Sequence, residues 1–349
     1  MGKEFDMMAK FSLPKKIIIS FFSVMFVLSS TLNLSAAQDD PAIGMAVEFT
    51  DHAACAHVAK NKGWFKEAGL NVTSFDNYLT GSALAAGLAR GDINAAYMCL
   101  IPAISAYANG HVPLKVVAGT HKYGYGLIVD PKKITSVKDL ERPDIRIGCP
   151  NEGTPLDTLL HKMIEQYSLN EDVVLSKTIR MPPSKVFLAL KMGRLDAGML
   201  PEQFPTMGEE LGLKVILGAQ DLWPEMQGSV LVVKDALLND HPEIVSKLVE
   251  VTRQGTEYIH QHPADAARIC AQELTVSGQK VFPIDLEKDA ADMNITPDVI
   301  LKSITSRLQS TTDVDPHQVQ QCIDYMTELG YIKRFEAEEI LDLRFLSNE

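Results

Sequence analysis

The chain has 349 residues, 46% of them hydrophobic, and a formal net charge of −12. That length allows two or three domains, and the apolar content excludes a disordered chain. The acidic balance argues against nucleic acid or an anionic membrane surface as a partner.

Residues 1–37 read as a secretory signal peptide. Lys3, Lys10, Lys15 and Lys16 lead into the apolar run 17–28, broken only by Ser20 and Ser23. Small residues at Ser35 and Ala37 place cleavage before Gln38. A membrane anchor is the alternative, but the run is shorter than the roughly 20 residues a spanning helix needs. No cysteine lies near the cleavage point, so no lipid anchor is expected. A soluble, exported, periplasmic protein is expected. Residues 1–37 carry four lysines against Glu4 and Asp6, so their removal takes the net charge from −12 to −14.

The mature chain then alternates strands and helices. A strand at 43–49 precedes a polar loop at 50–55 and a helix at 57–66. A strand at 70–75 leads to Thr80-Gly81-Ser82, which opens a helix that Gly91 stops. A strand at 93–100, a helix at 102–109 and a doubly buried strand at 114–118 follow. The segments GLIVD at 126–130 and SVLVVK at 229–234 resemble each other and read as two hinge crossovers. They divide the chain into lobe 1, residues 38–128 plus 230–349, and lobe 2, residues 129–229. Within lobe 2 the pattern gives strands at 145–149, 173–179, 195–200 and 215–217, with helices at 156–167 and 184–192. Beyond the second crossover, helices at 241–261, 263–273, 296–308 and 316–329 form a supporting layer on lobe 1. Asp240-His-Pro-Glu is expected to cap the first of these. The class is α/β with mainly parallel sheets.

One stretch occurs twice. LNVTSFDNYLTGSALAAGLARGDINAAYM at 70–98 has a partner 102 positions on, DVVLSKTIRMPPSKVFLALKMGRLDAGML. Val72 aligns with Val174, Ser82 with Ser184 and Gly91 with Gly193. Each copy reads as strand, turn, helix and strand, so two similar lobes with a cleft between them are expected. The helix starts at Ser82 and Ser184 are expected on opposite sides of that cleft.

Open α/β sheets bind ligands beyond the C-terminal strand ends. Those ends carry Asp51 and His52, then Thr80, Gly81 and Ser82, then Cys99. Tyr123 and Tyr125 follow at the lobe junction, then Asn151, Glu152, Gly153 and Thr154, and finally Glu202. Helix starts offer free N–H groups and hydroxyls to an anionic or carbonyl-bearing group. The tyrosines offer rings to stack on, and the acids suit a ligand of mixed charge. Simple N-capping, solvated carboxylates and half-buried tyrosines are the plainer alternatives.

The five cysteines, Cys55, Cys99, Cys149, Cys270 and Cys322, are widely spaced and contain no CxxC pair, which excludes a zinc ribbon. Cys55, Cys99 and Cys149 fall at strand ends with His52 and His57 nearby. A metal site, a disulfide across the cleft and three small buried thiols all remain open. No hydrolase elbow, zincin helix, phosphate loop or dinucleotide fingerprint is present, so no cofactor and no catalysis are expected. A cysteine nucleophile paired with His52 or His57 is the enzymatic alternative.

Several stretches, in order, resemble one family. They are HVAKNKGWFKEAGLNV, the GSALAAGLARGDINAA segment at 81–96, ALKMGRLDAGMLPEQFP at 189–205, and VQQCIDYMTELGYIK at 319–333. They are similar to the periplasmic substrate-binding proteins of ABC importers in the nitrate, sulfonate, taurine and thiamine-precursor group, the NMT1/THI5-like superfamily. The resemblance implies a two-lobed type II binding-protein fold that closes on one small molecule. It also implies delivery to a membrane permease and its ATPase, and a monomer. The same resemblance maps ligand contacts onto Asp51, His52, the Thr80–Ser82 helix start, Cys99, the Tyr123 region, Asn151–Thr154 and Glu202. Where the family often has Trp-Glu-Pro, this chain reads Pro201-Glu202-Gln203. The expected function is capture of a small polar or heteroaromatic solute, sulfonate-, nitrate- or pyrimidine-like. A sensory module that presents its ligand to a receptor is the other alternative.

Overall fold

The computed structural model describes residues 41–281 and 293–347. The segment 1–37, expected as a signal peptide, lies outside the described residues. Strands run in chain order as β1 (Ile43–Glu48), β2 (Val72–Tyr78), β3 (Ala95–Cys99), β4 (Leu114–Gly119), β5 (His121–Tyr123) and β6 (Tyr125–Val129). Then come β7 (Ile147–Cys149), β8 (Thr178–Arg180), β9 (Ala197–Pro201), β10 (Lys214–Gly218), β11 (Ser229–Lys234) and β12 (Leu308–Ser310). The first sheet has the order β2-β1-β3-β11-β4, the second β10-β6-β9-β7-β8, and β5 pairs with β12 as a ribbon.

The sheets are near copies. β1 runs parallel to β2 and β3, as β7 does to β8 and β9. Each sheet then takes in one antiparallel strand. β11 lies against β3 with Ser229 opposite Cys99, and β6 lies against β9 with Tyr125 opposite Pro201. β1, β3, β6 and β9 are buried along their whole length, as expected of strands covered on both faces.

A polar latch repeats with the sheets. The Asn94 side chain accepts a hydrogen bond from the Gly44 amide at 2.8 Å. The Asp196 carboxylate accepts one from the Arg146 amide at 2.9 Å. Both pairs obey the 102-residue offset, so the duplicated unit includes the strand before the stretch that the sequence repeats. In the second copy the latch is charged. Arg146 Nε and Lys133 Nζ reach Asp196 at 2.9 and 2.5 Å.

Three expectations need correction. The segment 173–179 is not a strand but a helix, Glu171–Ser176, followed by the short β8. The Asn170 side chain accepts from Val173 N, and Glu171 and Asp172 occupy the first turn, where acids suit the helix dipole. That local capping overrides the β-branched Val173-Val174 pair. The helix Pro242–Gln261 has His241 at its N-cap with no side-chain cap bond, because Asp240 ends the preceding helix, Asp235–Asp240. The region 57–66 forms two helices, Ala54–Lys62 and Trp64–Glu67, parted at Gly63.

The C-terminal helices reach both sheets' units. Pro242–Gln261 packs on the Ala54–Lys62 helix, and Tyr97 of β3 bonds its Thr252 at 2.9 Å. From Pro297–Ser306 and its end, Lys302 and Arg307 hold Glu209 of the second unit at 2.7 and 2.9 Å. Tyr325, on the helix Pro316–Glu328, donates to Glu165 of the helix Pro155–Gln166 at 2.6 Å. Among the described residues no helix is long and apolar enough to cross a membrane.

Burial alone would raise the Asp196 acid, but Arg146 and Lys133 outweigh it and hold the carboxyl well below the usual range. Its stabilisation is therefore present above about pH 4 and lost as the pH falls further. Asp196→Ala is expected to cost about 3 kcal/mol at pH 7 in urea unfolding and about 1 kcal/mol less at pH 3, where only the unfolded chain's carboxyl is protonated. Equal losses at the two values would contradict the charged latch.

Candidate functional site

Where β1, β3 and β9 end and β6 begins, the two sheets face each other across a cavity. The helices Gly81–Arg90, Pro155–Gln166 and Pro183–Lys191 begin at the same place. The centre of a water molecule can occupy about 90 Å³ of this space. At roughly 10–15 Å³ per water, that suits one small solute and excludes a peptide or an oligosaccharide.

The first wall is built around Glu48, the last residue of β1. Its carboxylate is buried and accepts from Cys99 N at 2.7 Å and from Cys99 Sγ at 3.4 Å. Burial raises its acid above the ordinary range, against the lowering effect of the Cys99 bonds. Gly81 gives the helix start room to approach. A Cβ there would lie 2.7 Å from Glu48 Oε1 and 2.6 Å from Pro102 Cγ. Thr80 is a true N-cap, its hydroxyl accepting from Ala83 N at 3.2 Å. Ser82 is exposed at the cavity rim. Thr50 lines the cavity with a buried hydroxyl that has no partner.

Prolines shape the second wall: Pro150, Pro155, Pro182, Pro183 and Pro201. Its polar groups are Asn151, Thr154 and Ser184. Thr154 caps its helix and donates its hydroxyl proton to Asn151 O at 2.7 Å. Phe49 and Phe204 add apolar surface.

A buried polar layer lies beneath. Tyr125 donates to Cys99 Sγ at 3.2 Å, and Ser229 to the same sulfur at 3.6 Å. His52 bonds Gly124 O through Nε2 at 2.9 Å, and its ring stands 4.2 Å from that of His121. Burial, with His121 beside it, lowers His52 well below the usual imidazole range, and burial brings His121 to about 4. Both rings are neutral at pH 7. Deeper still, the Asp51 amide donates to Gln203 Oε1 at 3.0 Å, tying the first unit to the second. Burial and then the Glu202 charge push the Asp51 carboxyl up to about 8. Burial raises Glu202 to about 7 even though Thr206 donates to it through Oγ1 and N.

The structure therefore brings Thr80, Gly81, Ser82, Cys99, Tyr125, Asn151 and Thr154 to the cavity surface. Asp51, His52 and Glu202 lie below it, buried in the junction between the units. Glu152 is exposed nearby, and the Gly153 amide bonds Asp157 at 3.1 Å. Tyr123 turns outward to Glu225 at 3.2 Å. Sequence reasoning missed Glu48 and placed Thr50 only at the strand end, without a role. The available signal was an acid followed by Phe-Thr at the end of an otherwise apolar strand. Ser184 lines the cavity opposite Ser82.

All five cysteines are buried and free, so the cross-cleft disulfide is not formed. Among the described residues no group of three or more His, Cys, Asp and Glu is placed to hold a metal. Burial pushes the Cys55 thiol up to about 12, and burial with the Glu48 charge raises Cys99 further above its ordinary range. Neither has the lowered pKa that makes a cysteine nucleophilic. His57 packs on Phe75, whereas His52 Nδ1 lies 3.9 Å from Cys99 Sγ.

The sequence profile of the NMT1-like family matches residues 36–275. No curated protein sequence matches the chain. Among solved structures, the ligand-binding component of an ABC-type import system from Staphylococcus aureus, with zinc bound, is 16% identical at a TM-score of 0.69, over 88% of this chain and 98% of that one. The alkanesulfonate-binding protein SsuA from Xanthomonas axonopodis pv. citri, bound to MOPS, is 15% identical at 0.69, over 87% and 99%. The periplasmic nitrate-binding protein NrtA from Synechocystis PCC 6803 is 12% identical at 0.68, over 88% of each chain. At such identities the likeness is one of fold: two α/β lobes of the type II periplasmic binding-protein kind.

Because the Asp51 acid is raised in the folded state, its stabilising protonation is full below about pH 4 and is lost as the pH rises to about 8. Asp51→Asn should flatten this decline between pH 5 and pH 9 in urea unfolding. An unchanged slope would show that Asp51 does not carry it.

Proposed function

Since the chain belongs to the NMT1-like family, we propose that it is an exported solute-binding protein that delivers one small molecule to an ABC importer. The observation that carries this reading is the cavity, whose walls come from both sheets' units. A solute held there touches both lobes only when they are together, so binding shifts the molecule toward its closed form. Lobe 1 comprises residues 38–128 and 230–349, and lobe 2 residues 129–229, with β6 and β11 carrying the chain across. The ligand contacts come from the Thr80–Ser82 and Asn151–Thr154 helix starts, with Cys99 and Tyr125 between them. Asp51, His52 and Glu202 act from below by shaping the junction. The protein works by binding alone, without turnover. The raised cysteine acids support that, since no thiolate stands ready at neutral pH.

The partners are a membrane permease with its ATPase, and the protein acts as a monomer in the periplasm after cleavage before Gln38. The relatives of like fold include import-system components with sulfonate- and nitrate-binding members, which supports this class of partner.

The test is native mass spectrometry and thermal unfolding of the exported protein with a small-molecule extract of its host's growth medium. One retained solute of low mass is expected. At a hundredfold excess over its Kd it should stabilise the fold by about 2.7 kcal/mol. Small-angle scattering should show a smaller radius of gyration on binding. A protein that retains nothing and never shifts would sink the proposal.

A further inference from the structure

The cavity has one carboxylate and no cation. Among the described residues Glu48 lines it, whereas no lysine, arginine or histidine does. A carboxylate offers about four lone-pair positions. Cys99 engages Glu48 through its amide and its thiol, and among the described residues these are the carboxylate's hydrogen bonds. The group is held at the cavity with acceptor capacity to spare. An unpaired buried charge is costly, and a cationic donor placed beside it removes that cost.

The helix starts add backbone donors. The first-turn amides of Gly81, Ser82, Leu156 and Ser184 have no partner within their helices, and all four residues line the cavity. The unpartnered, buried Thr50 hydroxyl lines it as well. These suit an acceptor atom on the solute. Phe49, Leu79, Phe204 and the prolines suit a compact apolar body.

Resting on the solute-binding reading above, we propose that Glu48 anchors an N–H donor group of the solute. The solute is then a small cationic or amphoteric nitrogen compound, with an acceptor end turned to the helix starts, and not a simple inorganic or sulfonate anion. A bare anion would sit against the Glu48 charge with no side-chain cation to oppose it.

The experiment uses the mature protein and defined probes. Acetamidine, guanidine and cytosine represent N–H donors; nitrate, methanesulfonate and acetate represent anions. Calorimetry and thermal shift are run on each. At least one donor probe is expected to bind, and to bind about tenfold or more tightly than any anion. Glu48→Gln should weaken that probe by about tenfold or more. Its Tm should stay within ~2 °C of the parent, because the glutamine oxygen still accepts from the Cys99 amide. Ser184→Ala, which leaves Glu48 in place, should weaken it only a few-fold. Anions that bind as tightly as the donors would overturn the proposal while leaving the solute-binding reading intact. So would a Glu48→Gln protein that binds the donor unchanged, or a panel in which no donor binds. If Glu48→Gln fails to fold, the ranking of donors against anions on the parent protein decides. The failure of any solute from host medium to bind is the separate outcome that removes the underlying reading.

Discussion

Two side-chain latches fix where everything at the cavity falls. Asn94 ties the start of β3 to the start of β1, and Asp196 ties β9 to β7. Parallel neighbours aligned at one end are aligned at the other. Glu48 and Cys99 therefore come level at the end of the first pair, and Pro150 and Pro201 follow the second. The helices start there too, because parallel strands end at one edge and each crossover leaves from it. The latches differ for a local reason. A Cβ on Gly44 would meet Asp92 O at 2.2 Å, so the first copy has no side chain to pair and a neutral amide serves. The second copy has Arg146 at the same place, and an acid answers it.

The duplication breaks down at the opposite strand ends, where the polarity of the cavity is decided. By the same offset, Glu48 corresponds to Pro150 and Cys99 to Pro201, while Thr80 and Gly81 correspond to Pro182 and Pro183. One copy presents a carboxylate, a thiol and a hydroxyl cap. The other presents prolines, which have no N–H and fix the backbone. Only Ser82 and Ser184 keep their identity across the pair. The first wall thus carries most of the hydrogen-bonding capacity, and the second carries most of the shape.

Much of this was legible in the chain. The repeat, the glycine stops at Gly91 and Gly193, and the likeness of 126–130 to 229–234 are properties of contiguous segments, so they survive without coordinates. The helix at 171–176 was hidden because Val173-Val174-Leu175 suits a strand, and only the Asn170 side chain decides otherwise. Glu48 was hidden because its burial depends on Gly81, far along the chain, leaving room for a carboxylate. Asp51, His52 and Glu202 stand at strand exits in sequence, but the backbone turns them down into the junction. Tyr123 leaves the cavity because its backbone takes the left-handed conformation, with φ at 66°.

Counting acids in the sequence would therefore misjudge the field inside the cavity. Three carboxyls gather at the end of β1 and β9, yet they are not equivalent. Asp51 and Glu202 are sealed in, raised to about 8 and about 7, and Asp51 is mostly neutral at pH 7. Arg307 partly offsets Glu202 from the side. The neighbouring imidazoles are neutral as well, so the floor of the site contributes little net charge. Burial raises the Glu48 acid as well, but Glu48 also lines the space a solute would fill, where a donor on the solute can reach its carboxylate. The polarity a solute meets there depends on that one carboxyl more than on the net charge of the surface.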